Sequence, residues 1–492
     1  MLAASNFGQA VAEDEAEHLA SYFVETQQWK EVLVGNVDVV YGAKGAGKSA
    51  LYILLTQRSD ELRRQRRILA IEGENPRGTP VFHDLITDPP TTENEFRLLW
   101  KLYVLSIIGQ RFKDARVRDP SARRIIGYLE EAHLLSTTSS LKSILRAAQE
   151  YARFLLRPES VEAGVSVSPG TGLPAVSGKI TFREPTSDQR KVGFLSVDEL
   201  LGEANDLLRK DKAQVWILLD RLDVAFSESE NLEANALRAL FRAFRDLGNL
   251  KCIKFKIFMR SDIWRRITQD GGFREASHIG RQLTISWDKN ALLNLVVRRI
   301  LRNASIREAY QVDDSTLANL ESQWDLFNRI FPDQIDPGAR KLETFDWILS
   351  RTADGKGASA PREILQLLTS AREVQLRRWE TGEAQPEAEQ LFDRTAFKQA
   401  LLEVSRMRLE RTLLAEYPAL RGRILALERE KTLQSPQSLS TLWRVGPEEA
   451  LVIAGKLVEA GFFEPRGSKS APQYWVPFLY RGALQMVQGT AE

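Results

Sequence analysis

The segment Val37-Asp38-Val39-Val40-Tyr41-Gly42-Ala43-Lys44-Gly45-Ala46-Gly47-Lys48-Ser49-Ala50-Leu51 constrains this chain more than any other. An apolar run leads into a glycine-rich loop, and a helix is predicted to start at Lys48. Gly42-x-x-x-x-Gly47-Lys48-Ser49 satisfies the phosphate-loop pattern in its strand–loop–helix setting. Gly42, Gly45 and Gly47 permit tight or left-handed backbone and let the main chain approach an anion closely. The main chain from Gly42 through Ala43, Lys44, Gly45, Ala46, Gly47, Lys48 and Ser49 to Ala50 is therefore expected to wrap phosphates, aided by the helix dipole. Lys48 would reach the β- and γ-phosphates, and the Ser49 hydroxyl would ligate Mg²⁺. The expected ligands are ATP and Mg²⁺. A Gly/Lys-rich surface turn is the bland alternative, and the apolar stretches on both sides argue against it.

Before this segment, Glu13–Trp29 carries Ala16, Leu19, Ala20 and Phe23 at helical spacing. Its Tyr22, Phe23 and Trp29 suit either packing or an aromatic wall for a base. After it, the basic run Arg63-Arg64-Gln65-Arg66-Arg67 precedes a second strand, Ile68-Leu69-Ala70-Ile71. That run reads as a solvated helix end, with a nucleic-acid contact as the other reading. A turn at Thr87–Glu93 opens a helix with Phe96, Leu99, Trp100, Tyr103, Val104 and Ile107 on a buried stripe. Residues 114–191 read as an insertion of helices (Ile125–Leu135, Leu141–Leu156). A β-hairpin follows, with arms Gly164–Ser168 and Gly178–Phe182 around a Pro/Gly turn.

Val215-Trp216-Ile217-Leu218-Leu219-Asp220 is an apolar strand that ends in an acid. A buried parallel strand of this kind delivers a carboxylate to a Mg²⁺ site at its carboxyl end, which makes Asp220 the second metal-site candidate. Arg221 follows where many ATPases carry a glutamate. Asp223 is thus the candidate for polarising the attacking water, or an ordinary helix-start acid. After the Leu232–Leu247 helix come the strand Cys252–Met259, the polar tip Arg260-Ser261-Asp262, and a loop with Arg274 and Arg281. Leu283–Trp287 is predicted as the last core strand. Strands alternating with helices specify a parallel sheet covered on both faces.

From Asp288 the pattern turns helical, and Pro361 opens a helix at its first turn. The last hundred residues end as a small winged helix would. A helix opens at Pro447 and stops at Gly461, and a hairpin follows with Arg466 and Lys469 expected in its turn.

The length of 492 residues accommodates roughly three domains. A formal charge of +2 excludes a global basic field, though not a local basic face. The lone Cys252 excludes an internal disulfide framework and fits a reducing, cytoplasmic setting. Met1–Glu17 is already acidic, unlike a signal segment, and no apolar run is long enough to span a membrane. His18, His83, His133 and His278 lack metal-ligand spacing.

The ordered set of phosphate loop, Asp220 strand, Arg260 strand tip, arginine loop, helical segment and winged helix resembles the AAA+ and STAND clades of P-loop ATPases. It is most similar to bacterial origin-recognition, KAP and conflict-system types. The resemblance implies an α/β fold with a P-loop NTPase parallel sheet, a helical lid and a C-terminal winged-helix domain. The implied divisions are a helical segment at 1–30, the ATPase core at 31–288 with the 114–191 insertion, the lid at 289–385, and a helical and winged-helix part at 386–492. It further implies Arg260 as the residue reading the γ-phosphate, Arg281 (or Arg274) as an arginine finger offered to a neighbouring subunit, and Arg362 as a second phosphate sensor. The expected function is an ATP-switched homo-oligomeric ATPase of a bacterial defence system, working through a protein trigger or effector. The alternative is an initiator or loader ATPase that holds duplex DNA through its winged helix.

Overall fold

The computed structural model describes the chain except for residues 10–11, 75–89, 91, 136–139, 157–178, 223–229, 270–272, 274–278, 384–385, 387–388, 469 and 492. Two compact units account for it. One comprises Gln27–Gly42 and Lys48–Ile285, the other Met1–Thr26, Ala43–Gly47 and Ser286–Glu492.

The first unit is built on a sheet of β1 (Val39–Gly42), β2 (Ile68–Glu72), β5 (Gln214–Leu219), β6 (Ile253–Arg260) and β7 (Gln282–Thr284), in the order β2-β5-β6-β1-β7. Every pairing is parallel. The continuous burial of β1 and of β5 after its first residue is what a sheet covered on both faces requires. The Glu93–Asp114 helix is capped by Thr92, whose side chain accepts from the Glu95 N–H. Trp100, Tyr103 and Ile107 of that helix lie in the same core as Val215, Ile217 and Ile257. The helices of the 114–191 region, Pro120–Glu131 and Leu141–Leu156, add Ile125, Leu129, Ile144 and Tyr151 to this core. Beside them, β3 (Ile180–Thr181) and β4 (Leu195–Ser196) form a small parallel pair. The second arm of the expected hairpin pairs in parallel with a later strand, and its first arm and turn lie outside the described residues.

The second unit is helical, with a small sheet at its end. Its core joins Leu293, Val297 and Ile300 to Phe327, Phe331, Ile364 and Leu368, and continues into Leu439, Leu457, Phe463 and Tyr480. The terminal sheet has the order β11-β8-β10-β9, from β8 (Lys431–Gln434), β9 (Glu464–Ser468), β10 (Ala471–Trp475) and β11 (Val487–Thr490). Two helices, Pro436–Trp443 and Pro447–Glu459, stand between β8 and the β9–β10 hairpin, the succession of a winged helix. Arg466 lies within β9 opposite Gln473, not in the expected turn. It stacks over Trp475 at 3.9 Å and pairs with Glu464 at 2.8 Å, a diagonal contact that the antiparallel ladder brings into reach. Lys469 lies outside the described residues.

The amino-terminal segment is not one helix. A turn at Ala12–Glu15 and a short helix at Leu19–Tyr22 precede extended backbone at Phe23, and a new helix begins at Gln27. Tertiary contacts explain the break. Glu15 forms a buried bidentate pair with Arg299, whose guanidinium also lies 3.8 Å over the Tyr22 ring. Val24 packs with Leu295 and Leu365. Losing one partner of such a buried pair costs about 3–5 kcal/mol, more than helix propensity gains over a few residues. Tyr22 is therefore committed to packing. Trp29 is buried in the other unit, beneath Arg58.

Candidate nucleotide site

β1 ends at Gly42 and the Lys48–Gln57 helix begins after five loop residues, so the glycine-rich turn occupies the carboxyl edge of a parallel sheet. Gly45 and Gly47 have φ of +81° and +100°, the left-handed region that glycine alone enters without strain. The Lys48 ammonium reaches back to the Gly42 carbonyl at 3.1 Å. Ser49 follows on the first helical turn, and Ala50 begins the buried face of that helix.

The neighbouring strands bring polar groups to the same edge. The register pairs Gly42 with Arg260, placing the tip of β6 beside the start of the loop. Arg260 is held by Asp262, with Nε at 3.1 Å and Nη2 at 2.6 Å. β6 pairs in turn with β5, after which Asp220 follows, only 4% exposed. Arg221, directly after it, has a left-handed φ of +56°, an uncommon conformation for a long side chain and one that recurs at functional sites. Asp223 and Arg274 lie outside the described residues.

Sequence reasoning missed the acids at the end of β2. Glu72 pairs in register with Leu218, and Glu74 is fully buried. Burial raises the Glu72 carboxyl above its usual range. Burial also raises the Tyr52 phenol, and the Glu72, Asp220 and Glu74 charges around it add to that rise. The same pattern that singled out Asp220, an apolar strand ending in an acid, is present in Ile68-Leu69-Ala70-Ile71-Glu72.

The middle of the loop, Ala43–Gly47, clusters with the helical unit. The Trp287 indole donates to the Ala46 carbonyl at 2.9 Å. Trp287 was expected in the last strand. It lies beyond it, because β7 stops at Thr284. Arg362, on the first turn of the Pro361–Glu380 helix, packs so closely on Gly45 that a Cβ there would come within 2.9 Å of the Arg362 Cβ. Lys44 is ion-paired with Glu416. Glu416 follows a turn of π-helix at Leu409–Leu413, a distortion frequent at functional sites.

Arg281 stands at the other end of the sheet, just before β7. It donates to the carbonyls of Gly35 and Asn36 and lies 3.4 Å from Asp38, gripping the chain where it enters β1.

The donor set suits magnesium. Mg²⁺ takes one or two protein oxygens and completes its shell with water and phosphate, which a first-turn hydroxyl and a buried strand-end carboxylate can supply. Among the described residues, no group of three or more His, Cys, Asp or Glu could hold a metal unaided. No described helix is long and apolar enough to cross a membrane.

No protein-family model matches the chain. It is 24% identical over 305 residues to the transposon gamma-delta 80.3 kDa protein of Escherichia coli (strain K12), a match covering 60% of this chain and 39% of that protein. The chain thus spans about two fifths of that relative's length. Similar solved structures include the Aeropyrum pernix ORC2 protein in its ADPNP–ADP complexes, at 13% identity and a TM-score of 0.35. That similarity covers 96% of this chain and 93% of the other. Cdc6p from Pyrobaculum aerophilum aligns at 13% identity and a TM-score of 0.28, covering 93% and 91%. At these scores the superpositions add nothing to the internal geometry. A parallel sheet whose β1 runs through a glycine-rich phosphate loop into a helix, followed by a helical and winged-helix-like unit, is the fold of this chain, and its α/β part is a P-loop NTPase fold.

Proposed function

We propose that this chain is an ATP-binding and hydrolysing switch. The observation that carries the reading is the phosphate loop itself: Gly45 and Gly47 take left-handed backbone, the Lys48 ammonium reaches the Gly42 carbonyl at 3.1 Å, and the buried Asp220 follows a strand of the same parallel sheet. A phosphate seated on the loop would meet the Lys48 ammonium and the N–H groups of the loop and first helical turn. Ser49 and Asp220 would hold Mg²⁺, which supplies charge neutralisation at the β/γ-oxygens. Arg260 would read the γ-phosphate from the tip of β6, and Arg362 is proposed as a second phosphate sensor. Asp223 is proposed to orient the attacking water. Arg281, or Arg274, is the proposed finger of a homo-oligomer. Control of a protein trigger or effector belongs to the same proposal, and no described feature singles out a defence setting.

Binding of a fluorescent ATP analogue tests the core of this reading. Lys48→Ala should weaken binding at least a hundredfold, and Asp220→Asn should lose Mg²⁺-dependent turnover while still binding nucleotide. Parental affinity in Lys48→Ala would remove the loop from the site.

A second reading makes the chain an ATPase that works on DNA, of initiator or loader type. The name of the transposon relative favours it. Its expected contact is the winged helix on duplex DNA, to which the charges of that domain give little support. The exposed face of the Pro447–Glu459 helix presents Glu448, Glu449, Leu451, Val452 and Glu459 with the single cation Lys456.

A further inference from the structure

In a parallel sheet all strands start on one edge. Near those starts lie Arg67, Lys212, Lys251, Asp38 and Arg281, of which Lys212 and Lys251 stand two residues before β5 and β6. The register sets Arg67 level with Ala213 and Lys251, and Asp38 level with Lys256 and Arg281. Lys251 lies five residues before Lys256, so the edge is stepped by about 16 Å between β6 and β1. Asp38, the one acid, is already matched by the buried Lys256 at 3.1 Å and by Arg281 at 3.4 Å. The opposite edge carries Glu72, Glu74 and Asp220 beside Arg221, Arg260 and Lys48, so its charge is mixed.

Two cavities open on this edge. One of about 250 Å³ is lined by Arg63, Arg67 and Arg111 with Asp211, and one of about 440 Å³ by Lys251, Lys254 and Arg281 with Asp38. Each sets three cations against one carboxylate. Several guanidinium groups here are fixed by neutral acceptors: Arg66 by the Leu33 carbonyl, Arg67 by the Asp211 carbonyl and Arg281 by the Gly35 and Asn36 carbonyls. Such bonds orient a guanidinium without cancelling its charge. Among the described residues, no carboxylate lies within ion-pair distance of Arg66, Arg67, Arg111, Lys212 or Lys251. Burial and the charge of Arg281 lower the Lys254 amine, a sign that the cations crowd one another.

We propose that the strand-start edge of the α/β unit is a nucleic-acid backbone site, in which the cavity at Arg63, Arg67 and Arg111 and the cavity at Lys251, Lys254 and Arg281 each hold phosphate. This deepens the DNA-directed reading above and rests on it for the class of partner. Phosphate fits because most of the cations lining the two cavities are guanidinium groups, whose planar fork matches phosphate oxygens, and because a nucleic-acid backbone repeats its charge over the distance between two separate cavities. The run Arg63-Arg64-Gln65-Arg66-Arg67 thereby acquires a role beyond closing its helix.

The test is fluorescence anisotropy of a labelled duplex of arbitrary sequence with the full chain, without nucleotide, at 50 and 200 mM salt. The parent should bind with log Kd rising steeply with log salt. Arg111→Ala, Lys212→Ala, Lys251→Ala and Lys254→Ala combined should weaken binding at least tenfold. They should also flatten the slope by about 0.9 per lost phosphate contact. Retained ATP-analogue binding shows that the variant is folded, and the pair Lys212→Ala and Lys251→Ala should give an intermediate loss. Arg466→Ala in β9 should leave duplex binding unchanged. Lys48→Ala should keep it while losing nucleotide, so failure of the ATPase reading does not mimic failure of this one. The proposal is overturned by a parent that does not bind at 50 mM salt, by a quadruple variant with parental affinity and slope, or by loss of binding in Arg466→Ala. Tighter binding of polyglutamate than of DNA would also overturn it, identifying an acidic protein as the partner.

Discussion

Lys44, in the phosphate loop, is ion-paired with Glu416, which lies more than 370 residues further along the chain. The pair sets a carboxylate beside a loop whose proposed ligand is a polyanion. Removing the negative charge should release Lys44 towards phosphate. Glu416→Gln is expected to tighten ATP binding about tenfold, the effect of roughly 1.4 kcal/mol. Titration calorimetry of parent and variant measures it, and unchanged or weaker binding would show that Glu416 does not oppose the nucleotide.

Gly45 is the loop position with least freedom. Its φ of +81° and the nearness of the Arg362 Cβ penalise any side chain twice. Gly45→Ala should cost about 1–3 kcal/mol in loop strain and weaken ATP binding. Gly47→Ala shares the backbone strain, but its nearest neighbour, Trp287, stands 3.9 Å away. Comparing the two by thermal melting and nucleotide titration separates clash from strain, and equal losses would dismiss the Arg362 contact.

Lys256 is almost fully buried in β6, bonded to Val37 and Asp38 and 4.4 Å from the centre of the Trp216 ring. Burial lowers its ammonium to about 8, against the pull of Asp38 and with Arg281 and Lys254 adding to the fall. The sign follows from proton counting. Between about pH 8 and the ordinary lysine value the unfolded chain binds the extra proton, so this group's contribution to stability rises with pH there. Urea unfolding of parent and Lys256→Met at pH 7.5 and 9.5 should show the parent gaining relative to the variant. A constant difference would mean that the amine is not depressed.

Arg281 joins two backbone carbonyls and Asp38 at the start of the sheet. Arg281→Ala is therefore expected to lose about 1–3 kcal/mol of stability in the absence of nucleotide. If it also serves as a finger in trans, mixing it with Lys48→Ala subunits should restore part of the ATPase activity that each lacks. Destabilisation without complementation, in oligomers shown by mass to be mixed, would leave Arg281 a structural anchor alone.

Local sequence determined what depends on local rules. Glycine at Gly45 and Gly47, followed by Lys48 and Ser49, writes a phosphate loop because left-handed backbone and a helix start are properties of a few adjacent residues. The apolar run into Asp220 likewise announces a covered parallel strand with a carboxylate at its end. Thr92 and Pro361 mark helix starts for the same reason. Tertiary structure decided the rest. The break between Tyr22 and Gln27 depends on Arg299 and Leu295, hundreds of residues away, which outweigh helix periodicity. Arg466 entered a strand because Trp475 and Glu464 hold it there. The partners of the loop, Trp287, Arg362 and Glu416, and the gathering of Lys251, Lys254 and Arg281 around one cavity, follow from strand order and helix docking. Periodicity along the chain records which face of an element is buried, but not which distant element covers it.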